Sequence, residues 1–365
     1  MGIFYKKERG EIMSNNSITS QELYEKRKIK IGLIGMGFGV IAAIAAVSAG
    51  VFSGMCNPLI GEAENLEISD KVIITLLTSW IFVSAADFIA GCFGYGFLVI
   101  SKRNPAREIR RTVGLKVSWY MMVATLVAGP GGTVCMIASY AMCGMTMGAC
   151  VLAFTPLVLS VMSKFILKEA LSPRVYLGIC ILVIGTCVAG IAPVEHSALF
   201  IPGIIVALCG SVCFSLEGVA STYAADLIDE YVGCTFFRCW GSGIMCLVIA
   251  LIVAAASGNL DFFMNYFKGF WTVVPYIGVI GGFLNFIQYY LIYDAFVKCG
   301  PARCQAMVYT MPVVSIPIGL VGNAVFGNLY EYSVSPLVVI GAVIVVIGVI
   351  FITAKPSELL NLRDN

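Results

Sequence analysis

A run of proline, acid and glycine occurs twice in this chain, and it limits the fold more than any other feature. Between Ala153 and Ala189 two apolar stretches flank a short charged elbow. Pro156 lies in the first stretch, Lys168, Glu169 and Ser172-Pro173 form the elbow, and Gly178 and Gly185 lie on one face of the second. Near the C-terminus Pro312, Glu331, Ser335-Pro336, Gly341 and Gly348 repeat the series. The step from Pro173 to Gly178 equals that from Pro336 to Gly341, whereas the second copy is longer before its elbow, around Gly327-Asn328. Self-similarity at such a distance means two copies of one structural unit.

The setting of these copies is a membrane. Of 365 residues, 59% are hydrophobic and 12% charged, with mean hydropathy +0.93. A soluble domain carries about 25% charged residues, so half of a solvated surface is missing. Several apolar runs exceed the ~18 residues that mark a transmembrane helix, and Ser333 to Ala354 holds no charge. All but one of the 14 cysteines (Cys56) lie in or at the ends of apolar runs, without metal-like or disulfide-like spacing, and read as small hydrophobes. The polar first 28 residues lack the apolar core of a signal peptide. They read as a disordered cytosolic tail.

Ten spans follow, at about Ile31–Phe52, Val72–Ile100, Val117–Tyr140, Met147–Ile166 and Val175–Val194, then Ile201–Ala224, Gly233–Ala256, Trp271–Val297, Arg303–Phe326 and Ser335–Ala354. With the N-terminus in the cytosol, 21 of the 23 Lys and Arg fall on the cytosolic side, leaving only Lys71 and Lys268 outside. The positive-inside rule therefore puts both termini in the cytosol. Five spans per copy is an odd number, so the second copy enters the membrane upside down. The expected fold is an all-α integral membrane protein, ten transmembrane helices in two inverted five-helix repeats at 31–194 and 201–354, with tails at 1–30 and 355–365. Inverted repeats are characteristic of secondary transporters, which rock one repeat against the other around a midplane site.

The Pro…Glu…Ser-Pro…Gly…Gly pattern, present in both the fourth–fifth and ninth–tenth helix pairs, resembles that of the drug/metabolite transporter superfamily in its ten-helix EamA-like branch. The resemblance spans residues 31 to 354. It implies carriage of amino acids, nucleotide sugars, nucleobases, polyamines or organic cations, by proton coupling or exchange. It further implies a cavity lined by helices one to four and six to nine, with the fifth and tenth as scaffold or dimer contacts. Asp87 and Glu217 depart from the shared pattern.

Those two acids are the leading site candidates. Trp80, Ser84, Asp87 and Gly91 form one polar stripe on an otherwise apolar helix. A carboxylate at the bilayer centre costs about 2.5–3.5 kcal/mol, so Asp87 is paired, protonated or faces water. It reads as a proton carrier or an anchor for a cationic substrate; the structural alternative is a neutral, hydrogen-bonded acid. Glu217 lies roughly 10 Å inside the cytosolic end of the sixth span at 1.5 Å per residue. Arg238 enters from the same side to similar depth, which suggests a Glu217–Arg238 ion pair, either structural or a gate. Gly129-Pro130-Gly131-Gly132 interrupts the third span, and Gly278, Gly281 and Gly282 the eighth. Interruptions at matching places point to a midplane site, or to close helix packing. Asn285, Gln288 and Tyr289 continue the eighth span's glycine face as a pocket lining. Trp80, Trp119 and Tyr120 could stack on a cation, or serve as core or interface anchors. Asp294, Lys298 and Lys164 snorkel or pair near the cytosolic ends, and Glu169 and Glu331 belong to the motif elbows. His196, the only histidine, falls in a loop, so any proton coupling passes through carboxylates.

No catalytic motif, metal-spaced ligands or phosphate loop occurs, so no enzymatic activity, metal or cofactor is expected; nor is a nucleic-acid partner. A channel filter is also missing. The expected function is secondary transport of a small polar metabolite (an amine, amino acid or related organic cation) with the proton as coupling ion, or by exchange. The alternative is a carrier of an anionic or neutral metabolite such as a nucleotide sugar or nucleobase. The partners are that substrate, the lipid bilayer, which would be the bacterial inner membrane, and a second copy in a homodimer.

Overall fold

The computed structural model describes residues 20–54, 68–143, 148, 151–169, 171–190, 199–224, 227–228, 232–273, 279–326 and 334–361. Expectations for Cys56, His196, Gly278, Gly327-Asn328 and Glu331 lie outside them. Every element among the described residues is helical. Long apolar segments have few other ways to satisfy their backbone groups away from water.

The helices are α1 (Ser20–Gly54), α2 (Ile68–Ile100), α3 (Pro105–Val113), α4 (Lys116–Leu126), α5 (Val134–Cys143), α6 (Thr155–Ile166), α7 (Pro173–Gly190), α8 (Phe200–Ala224), α9 (Ser242–Ala256), α10 (Leu260–Val273), α11 (Val279–Cys299), α12 (Pro301–Val308), α13 (Met311–Phe326) and α14 (Pro336–Thr353). Two π-helical stretches, π1 (Val127–Thr133) and π2 (Gly233–Gly241), join α4 to α5 and lead into α9. Prolines at first helical positions set several starts: Asn104 caps α3 by accepting from the Arg107 N–H (3.3 Å), and Ser335 caps α14 from the Val338 N–H (3.3 Å).

Among the described residues, seven helices are long and apolar enough to cross a membrane: 20–51, 70–100, 116–139, 200–224, 233–256, 301–326 and 336–353. The result is a multi-pass membrane architecture, but not ten equally apolar spans. Thr155–Ile166 and Pro173–Ala189 are apolar and shorter. The helix α11 is diluted by Asn285, Gln288, Asp294 and Lys298. The N-terminal boundary also differs from expectation, since α1 begins at Ser20 rather than near residue 31. Its added turns are built from helix formers (Gln, Glu, Leu, Lys, Arg), and Lys28 Nζ donates to the carbonyl of Leu360.

That carbonyl belongs to a 3₁₀ turn, Pro356–Asn361, which folds back over the start of the bundle. Leu359 is buried against Gly32, where a Cβ would come within 2.8 Å of Leu359 Cδ1. Glu358 accepts from the Ser172 hydroxyl (2.8 Å) and pairs with Arg174 (3.2 Å). Ser172 therefore serves the C-terminal turn, while its counterpart Ser335 caps its own helix. Nearby, Glu169 of the first elbow pairs with buried Arg303 at the start of α12 (3.7 Å).

The final helices of the two motif copies meet each other. A Cβ on Gly178 would stand 2.9 Å from the carbonyl oxygen of Gly348, and one on Gly185 2.8 Å from that of Gly341. Rising numbers in α7 thus face falling numbers in α14, which is antiparallel contact at backbone distance. Away from this seam, Leu177, Ile184, Val339, Val343 and Ile347 are exposed. The glycine faces of these two helices are used in contact with each other.

Candidate functional site

Where α2, π1, α8, π2–α9 and α11 converge, each contributes a polar side chain to one buried cluster. Arg238 of π2 is its centre and is fully buried. Its Nη1 donates to Asp87 Oδ2 (3.2 Å), its Nη2 to Thr133 Oγ1 (2.7 Å), and its Nε stands 3.0 Å from Glu217 Oε1. The guanidinium plane lies over the ring of Tyr289, 3.8 Å from the centroid, a geometry in which the ring's quadrupole adds to the ion pairs.

Asp87 has further donors: the Ser242 hydroxyl to Oδ2 (2.5 Å) and the Asn285 amide to Oδ1 (2.7 Å). Glu217 Oε1 also accepts from the Tyr293 hydroxyl (2.9 Å). Tyr289 OH and Thr133 Oγ1 share a hydrogen bond of 3.2 Å, which closes the ring of contacts. Desolvating charges this deeply is tolerable only when each is paired and hydrogen-bonded. Two carboxylates face a single guanidinium, so the ionised cluster carries one net negative charge.

Local sequence explains the close approach. Pro130 has no N–H to donate and disrupts the helical ladder, and the backbone widens into π1 around it. Trp80 Nε1 donates to the carbonyl of Pro130 (2.9 Å). Gly129 sits directly under the cluster, because a Cβ there would come within 1.9 Å of Ser242 Oγ and 3.2 Å of Arg238 Nη1. On α2, Gly91 leaves room for Trp240 (Cδ1 at 2.1 Å from its would-be Cβ) and Gly94 for Thr235 (Oγ1 at 2.2 Å). Thr235 and Trp240 are five residues apart, the i→i+5 spacing of a π-turn.

Of the residues expected from sequence, Asp87, Glu217, Arg238, Asn285 and Tyr289 come together. The ion pair expected between Glu217 and Arg238 is present, but Asp87 shares the same guanidinium, which sequence reading had not joined to it. Gln288 lies on α11 between Asn285 and Tyr289, half-buried. The three aromatics read as stacking groups or as core or interface anchors stand outside the cluster. Trp119 and Tyr120 are 57% and 66% exposed and take no part in the cluster, as they lie on the outward face of α4. Trp80 spends its indole on the Pro130 carbonyl and holds π1 rather than a ligand. Thr133, Ser242, Tyr293 and Gly129 are site residues that sequence reading did not single out individually, Gly129 having been noted only as part of an interruption. Asp294 and Lys298 pair across one turn of α11, as expected, and Lys298 Nζ stands 4.5 Å from the Phe38 ring centroid.

Among the described residues no group of three or more His, Cys, Asp or Glu could hold a metal ion. No family model matches the chain, and no curated protein matches it. Twenty-five chains of solved structure do match. One, described only as "Crystal structure of protein", aligns over 89% of this chain and 98% of its own length, with TM-score 0.57 and 18% identity. At that identity the likeness shows a shared helical fold and nothing of function.

Proposed function

We propose that this chain is a secondary transporter that moves a small polar metabolite, an amine, amino acid or related organic cation, by alternating access. The observation that carries this reading is the buried Asp87–Arg238–Glu217 cluster, set within long apolar helices where five elements meet. Ionisable groups inside a membrane are costly, and they mark substrate and ion pathways. The surplus negative charge favours a cation over a nucleotide sugar or a nucleobase.

In this reading the fold is two inverted repeats, 31–194 and 201–354, with both termini cytosolic in a bacterial plasma membrane. The seam of α7 and α14 supports the inversion: a two-fold axis in the membrane plane would place Gly178 on Gly348 and Gly185 on Gly341. Several other helix contacts fit the same exchange. Contact of α1 with α11 answers that of α8 with π1 and α5, while α2 lies against π2–α9 and α6 against α12.

Counterflow in proteoliposomes tests the proposal. Vesicles loaded with unlabelled ethylammonium, arginine, glutamate or uracil are diluted into the labelled compound. Transient accumulation of a cationic probe is expected, and a channel would not produce it. Counterflow of glutamate or uracil alone would move the reading to an anion or neutral carrier, and counterflow of none would remove carrier function for these classes.

A further inference from the structure

We propose that Glu217 is the carboxylate that accepts the ligand's positive charge, and that Asp87 is a positioning residue that fixes Arg238. This rests on the reading of the cluster as a ligand site. The two acids differ in how their oxygens are used. Asp87 is closed: Oδ1 takes the Asn285 amide, Oδ2 takes Ser242 and Arg238, and the side chain is 1% exposed. Three of its roughly four acceptor positions are taken, and burial leaves little access to the last.

Glu217 is open. Both of its partners, the Tyr293 hydroxyl and Arg238 Nε, converge on Oε1. Oε2 has no partner among the described residues, and the side chain keeps 7% of its surface accessible. An ionised carboxylate offers about four acceptor positions over its two oxygens, so Oε2 has room for the N–H of an ammonium or for a proton.

Arg238 shows the same division. Asp87, Thr133 and the face of Tyr289 hold its two terminal nitrogens and its plane, and Glu217 meets only Nε. Removing either carboxylate charge leaves a neutral pair with Arg238, but the Asp87–Arg238 pair keeps its hydrogen bonds to Asn285, Ser242 and Thr133, whereas Glu217 is held by the Tyr293 hydroxyl alone. Glu217 is therefore the carboxylate with acceptor positions to spare, and the ligand class is a single positive charge, carried by a primary organic ammonium or by a proton. The charged and titratable groups facing Glu217 are Arg238 on π2, Asp87 on α2, Tyr289 and Tyr293 on α11, and Cys213 one turn back on α8.

The test uses the full-length protein in detergent and reads the infrared band of protonated carboxyl groups as pH is lowered. Wild type is expected to gain a component that disappears in Glu217→Gln, stays in Asn285→Ala, and moves to lower pH in Asp87→Asn, where Glu217 becomes the sole counter-charge of Arg238. Should Asp87→Asn not fold, Asn285→Ala, which takes a donor from Asp87 and none from Glu217, must leave the band in place. The other acids of the chain give bands common to every variant, so identical bands in wild type and Glu217→Gln overturn the assignment. Saturating ethylammonium then separates the two sources: suppression of the band means an organic ammonium competes for Oε2, and an unchanged band leaves the proton as the ligand. Undiminished counterflow in Glu217→Gln would sink this inference and spare the transporter reading. The expected band shifts without any counterflow would do the reverse.

Discussion

Arg238 is surrounded so completely that each of its partners is left stranded if it goes. Breaking a buried ion pair by removing one member typically costs about 3–5 kcal/mol, whereas replacing all members by neutral groups of similar size is often tolerated. Arg238→Met should therefore lower unfolding stability in detergent by about that amount, with two carboxylates left unpaired. The triple variant Asp87→Asn, Glu217→Gln, Arg238→Met should recover most of the loss. Gly129 offers a steric test of the same spot. A methyl there lands 1.9 Å from Ser242 Oγ, and overpacking of this kind costs about 1–3 kcal/mol. Gly129→Ala should be destabilised by that much in the same assay, and Ser242→Gly should restore it. The charged members of the cluster were legible from sequence because a charge in an apolar span is rare. Thr133 and Ser242 were not, because hydroxyls in helices usually bond their own backbone, as Thr125 does to Met121, Thr186 to Leu182 and Thr222 to Gly218. Nothing in the sequence separates a hydroxyl that turns inward to a charge from one that does this.

Elements were readable where a residue forbids the regular ladder. Gly-Pro-Gly-Gly announced an interruption, and π1 stands there. By contrast π2, with glycine only at its two ends, carries no such mark; its widened turn is dictated by what α2 presents, namely Gly91 and Gly94 accepting Trp240 and Thr235. The doubled glycines of the two motifs were read as a shared face, and the structure shows what that face touches. At Gly341 a Cβ would lie 2.4 Å from the Gly185 carbonyl oxygen and 2.5 Å from the Ala189 nitrogen. Backbone atoms cannot rotate aside as a side chain can. Gly341→Ala should therefore cost about 1–3 kcal/mol of stability, read as a lower unfolding midpoint. The charge cluster lies on other helices, so Glu217's carboxyl band should survive in whatever protein remains folded.

Over the whole molecule, hydropathy announced the helices, whereas the pairing of the last helix in each copy is visible only in the structure. Residues 20–28, read as part of a disordered tail, are helical: a polar sequence says only that a segment tolerates water, not that it stays in it. The turn at Pro356–Asn361 ties α1 and the first elbow together through Leu359, Lys28, Glu358, Ser172 and Arg174. Ending the chain at Lys355 should lower the unfolding midpoint and speed cleavage by protease near Lys28, with limited proteolysis as the measurement. Glu358→Gln should reproduce only a small part of the effect, because a half-exposed ion pair is worth little, about 0–1 kcal/mol.

The seam of α7 and α14 reaches beyond stability, to ancestry. Each helix offers its partner the same two glycines in reverse order, so the surface is complementary to itself as well as to its copy. A protein half this length, coding one motif and able to insert in either orientation, would already possess the contact needed to assemble as an opposed pair. Fusion of two such genes would then preserve a partnership rather than invent one, and afterwards release the halves to diverge.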